Sequence, residues 1–167
     1  MSLPNRKSLR LKEYDYNTPG AYFITICTVK RRELLSKISV GTGVLDCPQN
    51  TLTTYGEVAE KHILEMDTFY NNITVDKYVI MPNHIHLLLR VEESGRSGTP
   101  VPTNANSIIA RFVSTLKRFC NKACGENIWQ SRYYDHIIRN EQDYDEIWQY
   151  IENNPAKWEE DKFYNQL

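Results

Sequence analysis

The 167-residue sequence has no long apolar run, few cysteines and almost no net charge. No run approaches the roughly 18 apolar residues that are needed to span a bilayer, and residues 1–12 lack the apolar segment of a signal peptide. We therefore expect a soluble protein without a membrane partner, located in the cytoplasm. The length fits one domain over residues 1–167, with a hydrophobic core of its own.

Four cysteines are too few for a disulfide scaffold in a chain of this length, and a cytoplasmic location would keep them reduced. Cys120 and Cys124 allow three interpretations: neighbours on one helix face, half of a zinc site, or a redox-active pair. No second pair of cysteines stands at zinc-ligand spacing. This absence disfavours zinc.

The net charge of −1 hides an uneven distribution of charge. Residues 1–37 hold eight Lys or Arg against three Asp or Glu, and residues 106–139 hold six against two. Residues 38–105 hold four against eight, and residues 140–167 hold two against eight. The two basic segments fit either a single nucleic-acid-binding face or ordinary solvated surface charge.

The order of predicted strands and helices indicates an α+β protein in which helices pack on an antiparallel sheet. Residues 20–30 alternate and are apolar on both faces, which is typical of a central strand. Two more strands are predicted on either side of Met81-Pro82-Asn83, because proline interrupts a central ladder. These two strands cover residues 74–80 and 84–91. The other predicted elements are a short strand or extended stretch at about 133–138, helices at 55–69, 108–119 and 143–154, and a mobile loop at about 92–107.

The segment with the clearest chemistry is His84-Ile85-His86 within the third predicted strand. Residues two apart on a strand share a face, so both imidazoles point the same way, with roots about 7 Å apart. Two such side chains can converge on one metal ion. The alternative is that backbone or water satisfies both rings.

A second candidate pair, Tyr150 and Asn154, lies in the last predicted helix. Residues four apart share a helix face, about 5–6 Å between their Cβ atoms. A tyrosine can attack a phosphodiester reversibly, since the phosphotyrosine bond conserves the energy of the broken one, and an amide oxygen suits Mg²⁺ or Mn²⁺. The alternative is a tyrosine that simply packs against the sheet.

The chain resembles the REP-associated tyrosine transposases, because several separated motifs occur in the same order as in that family. These form a branch of the single-strand tyrosine transposases within the His-hydrophobic-His nuclease superfamily. The resemblance runs nearly end to end and rests on residues 6–11, 14–16, 20–28, 81–86, 129–130, 134–136 and 150–155.

The resemblance implies that His84 and His86 bind a divalent cation, Mg²⁺ or Mn²⁺, and that Tyr150 is the nucleophile. Asn154 matches a position where related insertion-sequence enzymes have a glutamine ligand; asparagine keeps the amide oxygen but shortens the reach. The implied fold is a ferredoxin-like or RRM-like antiparallel sheet. The implied reaction is a transesterification on single-stranded or hairpin DNA through a 5′-phosphotyrosine intermediate, as in DNA transposition.

Phosphate contacts of this kind need basic side chains, and Tyr and Phe rings could stack bases. The candidate phosphate contacts are Arg10, Lys12, Lys30, Arg31, Arg111, Lys117 and Arg118.

Asp135 and His136 offer a further possible acid-base pair, for which we favour a structural role.

Two other functions stay open at this point. A module of the same fold could have lost catalysis and bind stem-loop nucleic acid, and a hydrolase could use water in place of tyrosine. The second is weakened because the sequence supplies no evident carboxylate-rich metal cluster. Relatives of the insertion-sequence type pair up, so a homodimer is also possible.

Overall fold

The computed structural model describes residues 17–39, 48–93 and 107–164. Arg10, Lys12 and positions 94–106 of the expected loop lie outside the described residues. Within these ranges, no helix is long and apolar enough to cross a membrane.

Six strands and three α-helices form in the described ranges. In chain order they are β1 (Gly20–Cys27), β2 (Ser36–Ser39), β3 (Gln49–Leu52), α1 (Thr54–Glu65), β4 (Ile73–Met81), β5 (His84–Val91), α2 (Ile108–Cys124), β6 (Tyr134–Ile138) and α3 (Glu141–Asn153).

The main sheet has four antiparallel strands in the order β4-β5-β1-β6, which is the ferredoxin-like arrangement that the family resemblance implied. β1 and β5 are central, as expected for strands that are apolar on both faces. Two residues, Pro82 and Asn83, connect β4 to β5, and the register pairs Met81 with His84. The predicted break between two strands is therefore a hairpin turn.

The remaining two strands, β2 and β3, form a separate antiparallel pair that the sequence did not predict. Each has four residues, and polar side chains dominate both. Such short segments carry no alternating apolar signal.

Helices cover both faces of the main sheet. α1 and α2 pack on the face formed by Tyr22, Ile24, Ile85 and Leu87, where the larger hydrophobic core lies. α3 packs on the opposite face, where Phe23, Leu88 and Ile151 form a smaller core. The two faces therefore differ in how much apolar surface they bury.

Capping residues place the helix ends. The Ser107 side chain accepts a hydrogen bond from the Ala110 amide, and the Asn140 side chain accepts one from the Asp143 amide. Asn140 therefore starts α3 two residues before the predicted boundary. α2 continues five residues beyond its predicted end, to a left-handed cap at Gly125 (φ 73°).

Cys120 and Cys124 lie one turn apart on α2. Cys120 is fully buried in the larger core, and burial raises the pKa of its thiol to about 12. A thiol that stays protonated is a poor zinc ligand and a poor redox group. This environment favours the interpretation as neighbours on one helix face.

Gly56 in α1 allows a close backbone contact with the loop before β2. A Cβ atom at this position would lie 2.0 Å from the Leu35 carbonyl oxygen, an atom that also accepts a hydrogen bond from the Thr53 amide. No side chain fits there without displacing the backbone.

We predict that Gly56→Ala destabilises the protein by roughly 2–3 kcal/mol, because the helix must move away from Leu35. Gly125→Ala is the matched control: nothing lies within 4 Å of its added Cβ, and only the left-handed backbone opposes it, at about 1 kcal/mol. Urea unfolding measures both. Equal losses in the two variants would contradict the steric argument.

Candidate active site

His84 and His86 lie side by side on β5, which is paired on both edges. β4 and β1 flank it, and both histidines are fully buried, on the sheet face that α3 covers. The intervening Ile85 points into the larger core on the other face. The predicted common orientation of the two imidazoles is present in the structure.

Hydrogen bonds fix the tautomer of His84. The Asn83 amide nitrogen donates to the Phe163 carbonyl at 2.8 Å, and a carbonyl can only accept, so the orientation of the Asn83 amide is determined. The Asn83 Oδ1 atom then accepts from His84 Nδ1 at 2.8 Å. His84 therefore carries its proton on Nδ1, and the Nε2 lone pair is available to a ligand.

His86 has a more adaptable partner. Its Nδ1 lies 2.8 Å from the Thr25 hydroxyl on the neighbouring strand, and its Nε2 lies 3.0 Å from His84 Nε2. Without a cation, Thr25 can donate to Nδ1 while His86 Nε2–H donates to His84. With a cation, the hydroxyl can accept from Nδ1–H and leave both Nε2 lone pairs free.

The spacing of these nitrogens suits a metal ion. Two nitrogens that each lie about 2.1 Å from an octahedral ion are about 3.0 Å apart, as observed here. Burial lowers the pKa of both histidines, and for His86 the neighbouring His84 lowers it further. Both rings are therefore neutral at neutral pH, the state that binds metal.

Tyr150 on α3 reaches the histidine pair from the other side. Its hydroxyl lies 3.3 Å from His86 Nε2 and donates to Asp161 Oδ2 at 3.2 Å, while 39% of the residue remains exposed. Its ring packs edge-on against Phe23. The residue is thus partly exposed, and its hydroxyl is adjacent to the candidate metal ligands.

The phenol of Tyr150 is held in its protonated form. Burial, followed by the charge of Asp161, raises its pKa to about 12, and a hydrogen bond from Asn154 opposes the shift in part. A phenol is a weak nucleophile until its proton is removed. Any attack by Tyr150 therefore needs a proton acceptor or a nearby positive charge.

Asn154 caps the C-terminal end of α3, where only 2% of it is exposed. Its amide nitrogen donates to Asp161 Oδ2 at 3.2 Å, whereas its Oδ1 atom is buried without a hydrogen-bond partner. A buried carbonyl oxygen in that state costs about 1–3 kcal/mol. A metal ion would remove this cost, so the predicted role of Asn154 fits its environment.

A carboxylate completes the group. Ligand atoms of His84, His86 and Asp161 all lie within 4.8 Å of one another. Nitrogen and oxygen donors without thiolate suit Mg²⁺ or Mn²⁺. The residues present therefore fit a divalent cation.

A cleft of about 720 Å³ opens beside Tyr150. Phe23, Tyr134 and His136 contribute rings to its wall, and Lys157 and Lys162 contribute ammonium groups. Four carboxylates also line it, from Asp143, Glu146, Glu160 and Asp161. The aromatic rings offer stacking surfaces, but the excess of carboxylates disfavours a bare phosphate.

Two of the candidate phosphate contacts lie near this site. Lys30 and Arg31 follow β1 in a short 3₁₀ turn, and both have positive φ angles of 54°. The Arg31 guanidinium lies over the Phe163 ring at 5.1 Å and donates to the Lys162 carbonyl. Such backbone strain in a non-glycine residue is common near functional sites.

The second basic segment lies elsewhere. α2 packs on the sheet face opposite the histidines, with Arg111 and Arg118 exposed on it. The Lys117 ammonium donates to the carbonyls of Gln130, Ser131 and Arg132. These bonds occupy its three donors, so a phosphate contact of Lys117 would have to displace one of them.

The other two histidines in the described ranges have structural partners. His136 pairs with Asp143 at the start of α3, 3.0 Å away, and not with Asp135, whose side chain leaves the opposite face of β6. The possible Asp135–His136 pair is therefore wrong. His62 bonds to Glu65 and packs against Phe119.

Sequence reasoning missed two residues of the site. Thr25 meets His86 only through the register of β1 with β5, which no local pattern reveals. Asp161 follows the last helix among other acidic residues, in a 3₁₀ and turn region without periodicity. No local pattern distinguishes it from its acidic neighbours, Glu159 and Glu160.

The sequence is similar to a known protein family and to individual members of it. Residues 21–154 match the family model described as "Transposase IS200 like". An uncharacterized protein of Haemophilus influenzae is 34% identical over 175 aligned positions, which cover 96% of this chain and 93% of that protein. A REP-associated tyrosine transposase of Escherichia coli K12 is 32% identical over 84 positions, or 50% of this chain and 44% of that protein.

The fold also has a counterpart among solved structures. A REP-associated tyrosine transposase, whose structure is described as bound to a REP hairpin, superposes with a TM-score of 0.61. The match covers 95% of this chain and 74% of the other at 24% identity, which supports the fold alone.

We predict that Thr25→Val weakens Mn²⁺ binding by roughly 10- to 100-fold, since valine keeps the volume but removes the hydroxyl that orients His86. Isothermal titration calorimetry on the full chain measures the affinity. The control, Thr115→Val, removes a hydroxyl that bonds to Tyr70 on the far side of the sheet and should leave binding unchanged. Wild-type affinity in Thr25→Val would contradict the assignment.

Proposed function

This chain belongs to the IS200-like transposase family, and from that premise we propose that it cleaves and rejoins single-stranded or hairpin DNA through Tyr150. One observation carries the proposal: the Tyr150 hydroxyl lies 3.3 Å from a buried histidine pair whose geometry suits a divalent cation. The similarity to a REP-associated tyrosine transposase supports the choice of DNA.

His84 Nε2, His86 Nε2 and Asn154 Oδ1 would hold the cation. When bound, Mg²⁺ or Mn²⁺ polarises the scissile phosphate and stabilises charge on the departing 3′ oxygen. The burial of the site, with both imidazoles neutral and the Asn154 oxygen unpartnered, keeps these donors ready for it.

Tyr150 then forms a bond from its phenolic oxygen to the 5′ phosphate, and the bond from phosphorus to the 3′ oxygen breaks. The phenol proton passes to Asp161 Oδ2, to which the hydroxyl donates at 3.2 Å. The departing 3′ oxygen takes up a proton in turn and ends as a hydroxyl. Because the phosphotyrosine conserves the energy of the broken bond, a 3′ hydroxyl can reverse the reaction and rejoin DNA.

Lys30 and Arg31 are the phosphate contacts that we place nearest the site, and Arg10 and Lys12 belong to the same basic segment of the sequence. Phe23 and Tyr134 supply rings in the cleft on which an unpaired base can stack. The carboxylate-rich lining repels unneutralised phosphate, so the proposal requires a cation for productive binding.

A second candidate function is a stem-loop binding module without catalysis. One observation favours it: the His84 ring is fully buried against Phe163, with 4.6 Å between the ring centroids, so substrate has no open path to that nitrogen. Retention of both histidines, Tyr150 and Asn154 in one cluster favours the enzyme.

We predict that Tyr150→Phe abolishes a covalent protein–DNA adduct, a loss of roughly three orders of magnitude or more, because phenylalanine has no oxygen to attack phosphorus. Labelled single-stranded hairpin DNA, Mn²⁺ and denaturing electrophoresis detect the adduct.

Two tyrosines serve as controls for that experiment. Tyr144→Phe removes a hydroxyl on the same helix that bonds to Asp76, and Tyr134→Phe removes one that lines the same cleft. Both variants should keep the adduct. An adduct that persists in Tyr150→Phe and disappears in Tyr134→Phe would move the nucleophile to Tyr134, and cleavage without any adduct would point to water.

We further predict that His84→Ala and His86→Ala each lose the adduct at every Mn²⁺ concentration, because each removes one of two nitrogens on the cation. His62→Ala, on α1 across the sheet from the site, should keep the adduct and its dependence on Mn²⁺. The same gel assay across a Mn²⁺ titration tests this. Full activity in either active-site variant would exclude the metal role.

A further inference from the structure

Asp161 lies in the segment that follows α3 and its 3₁₀ turn, outside every motif that the sequence analysis used. A carboxylate oxygen of Asp161 and one nitrogen each of His84 and His86 lie within 4.8 Å of one another. Among the residues that the structure describes, no other group of three His, Cys, Asp or Glu side chains converges in this way. We propose that Asp161 is an anionic ligand of the divalent cation held by His84 and His86, an inference that rests on the proposed metal site.

The carboxylate is held in a fixed orientation. Asp161 Oδ1 accepts from the Phe163 amide at 2.7 Å, and Oδ2 accepts from Asn154 Nδ2 at 3.2 Å and from the Tyr150 hydroxyl at 3.2 Å. Each carboxylate oxygen has two lone pairs, so Oδ1 keeps one for a metal ion. Outer hydrogen bonds of this kind orient metal ligands.

The segment that carries Asp161 is itself anchored to the site. The Asn83 amide donates to the Phe163 carbonyl, and the Arg31 guanidinium donates to the Lys162 carbonyl. The Phe163 ring packs on His84. Asn83 thus links the segment that carries Asp161 to the histidines, since its Oδ1 atom accepts a hydrogen bond from His84.

The charges of the group favour a cation. An imidazole donates to a metal ion through a neutral nitrogen, whereas an aspartate side chain donates through a carboxylate oxygen. Two neutral nitrogens bind a hard ion such as Mn²⁺ or Mg²⁺ weakly, and an anionic oxygen is the ligand that such ions prefer. Asp161 supplies that oxygen.

Asp161 could alternatively stand where a DNA phosphate oxygen binds, and leave when DNA arrives. The two roles predict different effects of removing its charge. If Asp161 is a ligand, the loss of its charge weakens the binding of metal. If it occupies the phosphate position, the loss of its charge strengthens the binding of DNA.

The test measures Mn²⁺ affinity of the full chain without DNA, by electron paramagnetic resonance of the free ion or by calorimetry, so that no catalysis is needed. We expect Asp161→Asn to weaken Mn²⁺ binding by about tenfold or more. Glu160→Gln is the matched control, because the adjacent carboxylate lines the same cleft outside the ligand group and should not change the affinity. Asp161→Ala serves as a second variant if the asparagine variant does not fold.

The outcomes separate this inference from the proposed function. If the wild type binds Mn²⁺, His86→Ala does not, and Asp161→Asn binds as wild type, Asp161 is not a ligand while the histidine site stands. Wild-type Mn²⁺ affinity in Asp161→Asn combined with tighter binding of single-stranded hairpin DNA would assign Asp161 to the phosphate position and overturn the proposal. If the wild type itself binds no Mn²⁺, the metal site and this inference fail together.

Discussion

The pairing of β5 between β4 and β1 is the constraint on which the site depends. Ladders on both edges fix the register, and strand alternation then sends His84 and His86 to one face and Ile85 and Leu87 to the other. A slip of one residue would put both imidazoles into the larger core and its apolar side chains on the site. Core packing on one face therefore specifies the metal-binding geometry on the other.

Burial has opposite chemical consequences for the members of the site. It lowers the pKa of both histidines, which keeps their nitrogens unprotonated and ready for a metal ion, and it raises the pKa of Tyr150 to about 12, which keeps the nucleophile protonated. The same low-polarity environment thus prepares the ligands and restrains the attacking group. A divalent cation would reverse the second effect, because positive charge near the phenol stabilises the phenolate.

The sequence predicted the parts of the structure that follow from local periodicity. The central position of β1, the common face of His84 and His86 and the helix that carries Tyr150 are all confirmed. It did not predict what depends on contacts between distant segments. The Thr25 partner of His86 requires a strand register, and Asp161 requires the path of the chain after α3. Clusters of charge along the sequence also did not reveal that Arg111 and Arg118 lie across the sheet from the histidines.

The site joins a rigid half to a less firmly held one. The histidines lie on a strand that is paired on both sides, whereas Tyr150 and Asn154 belong to a helix attached through the small core of Phe23, Leu88 and Ile151. Asp161 follows still later, in a turn region. A cation bound by both halves would hold the end of α3 against the sheet. Part of the free energy of metal binding would then be used to order the segment that carries Tyr150. Metal binding and the positioning of Tyr150 are, on this argument, one equilibrium.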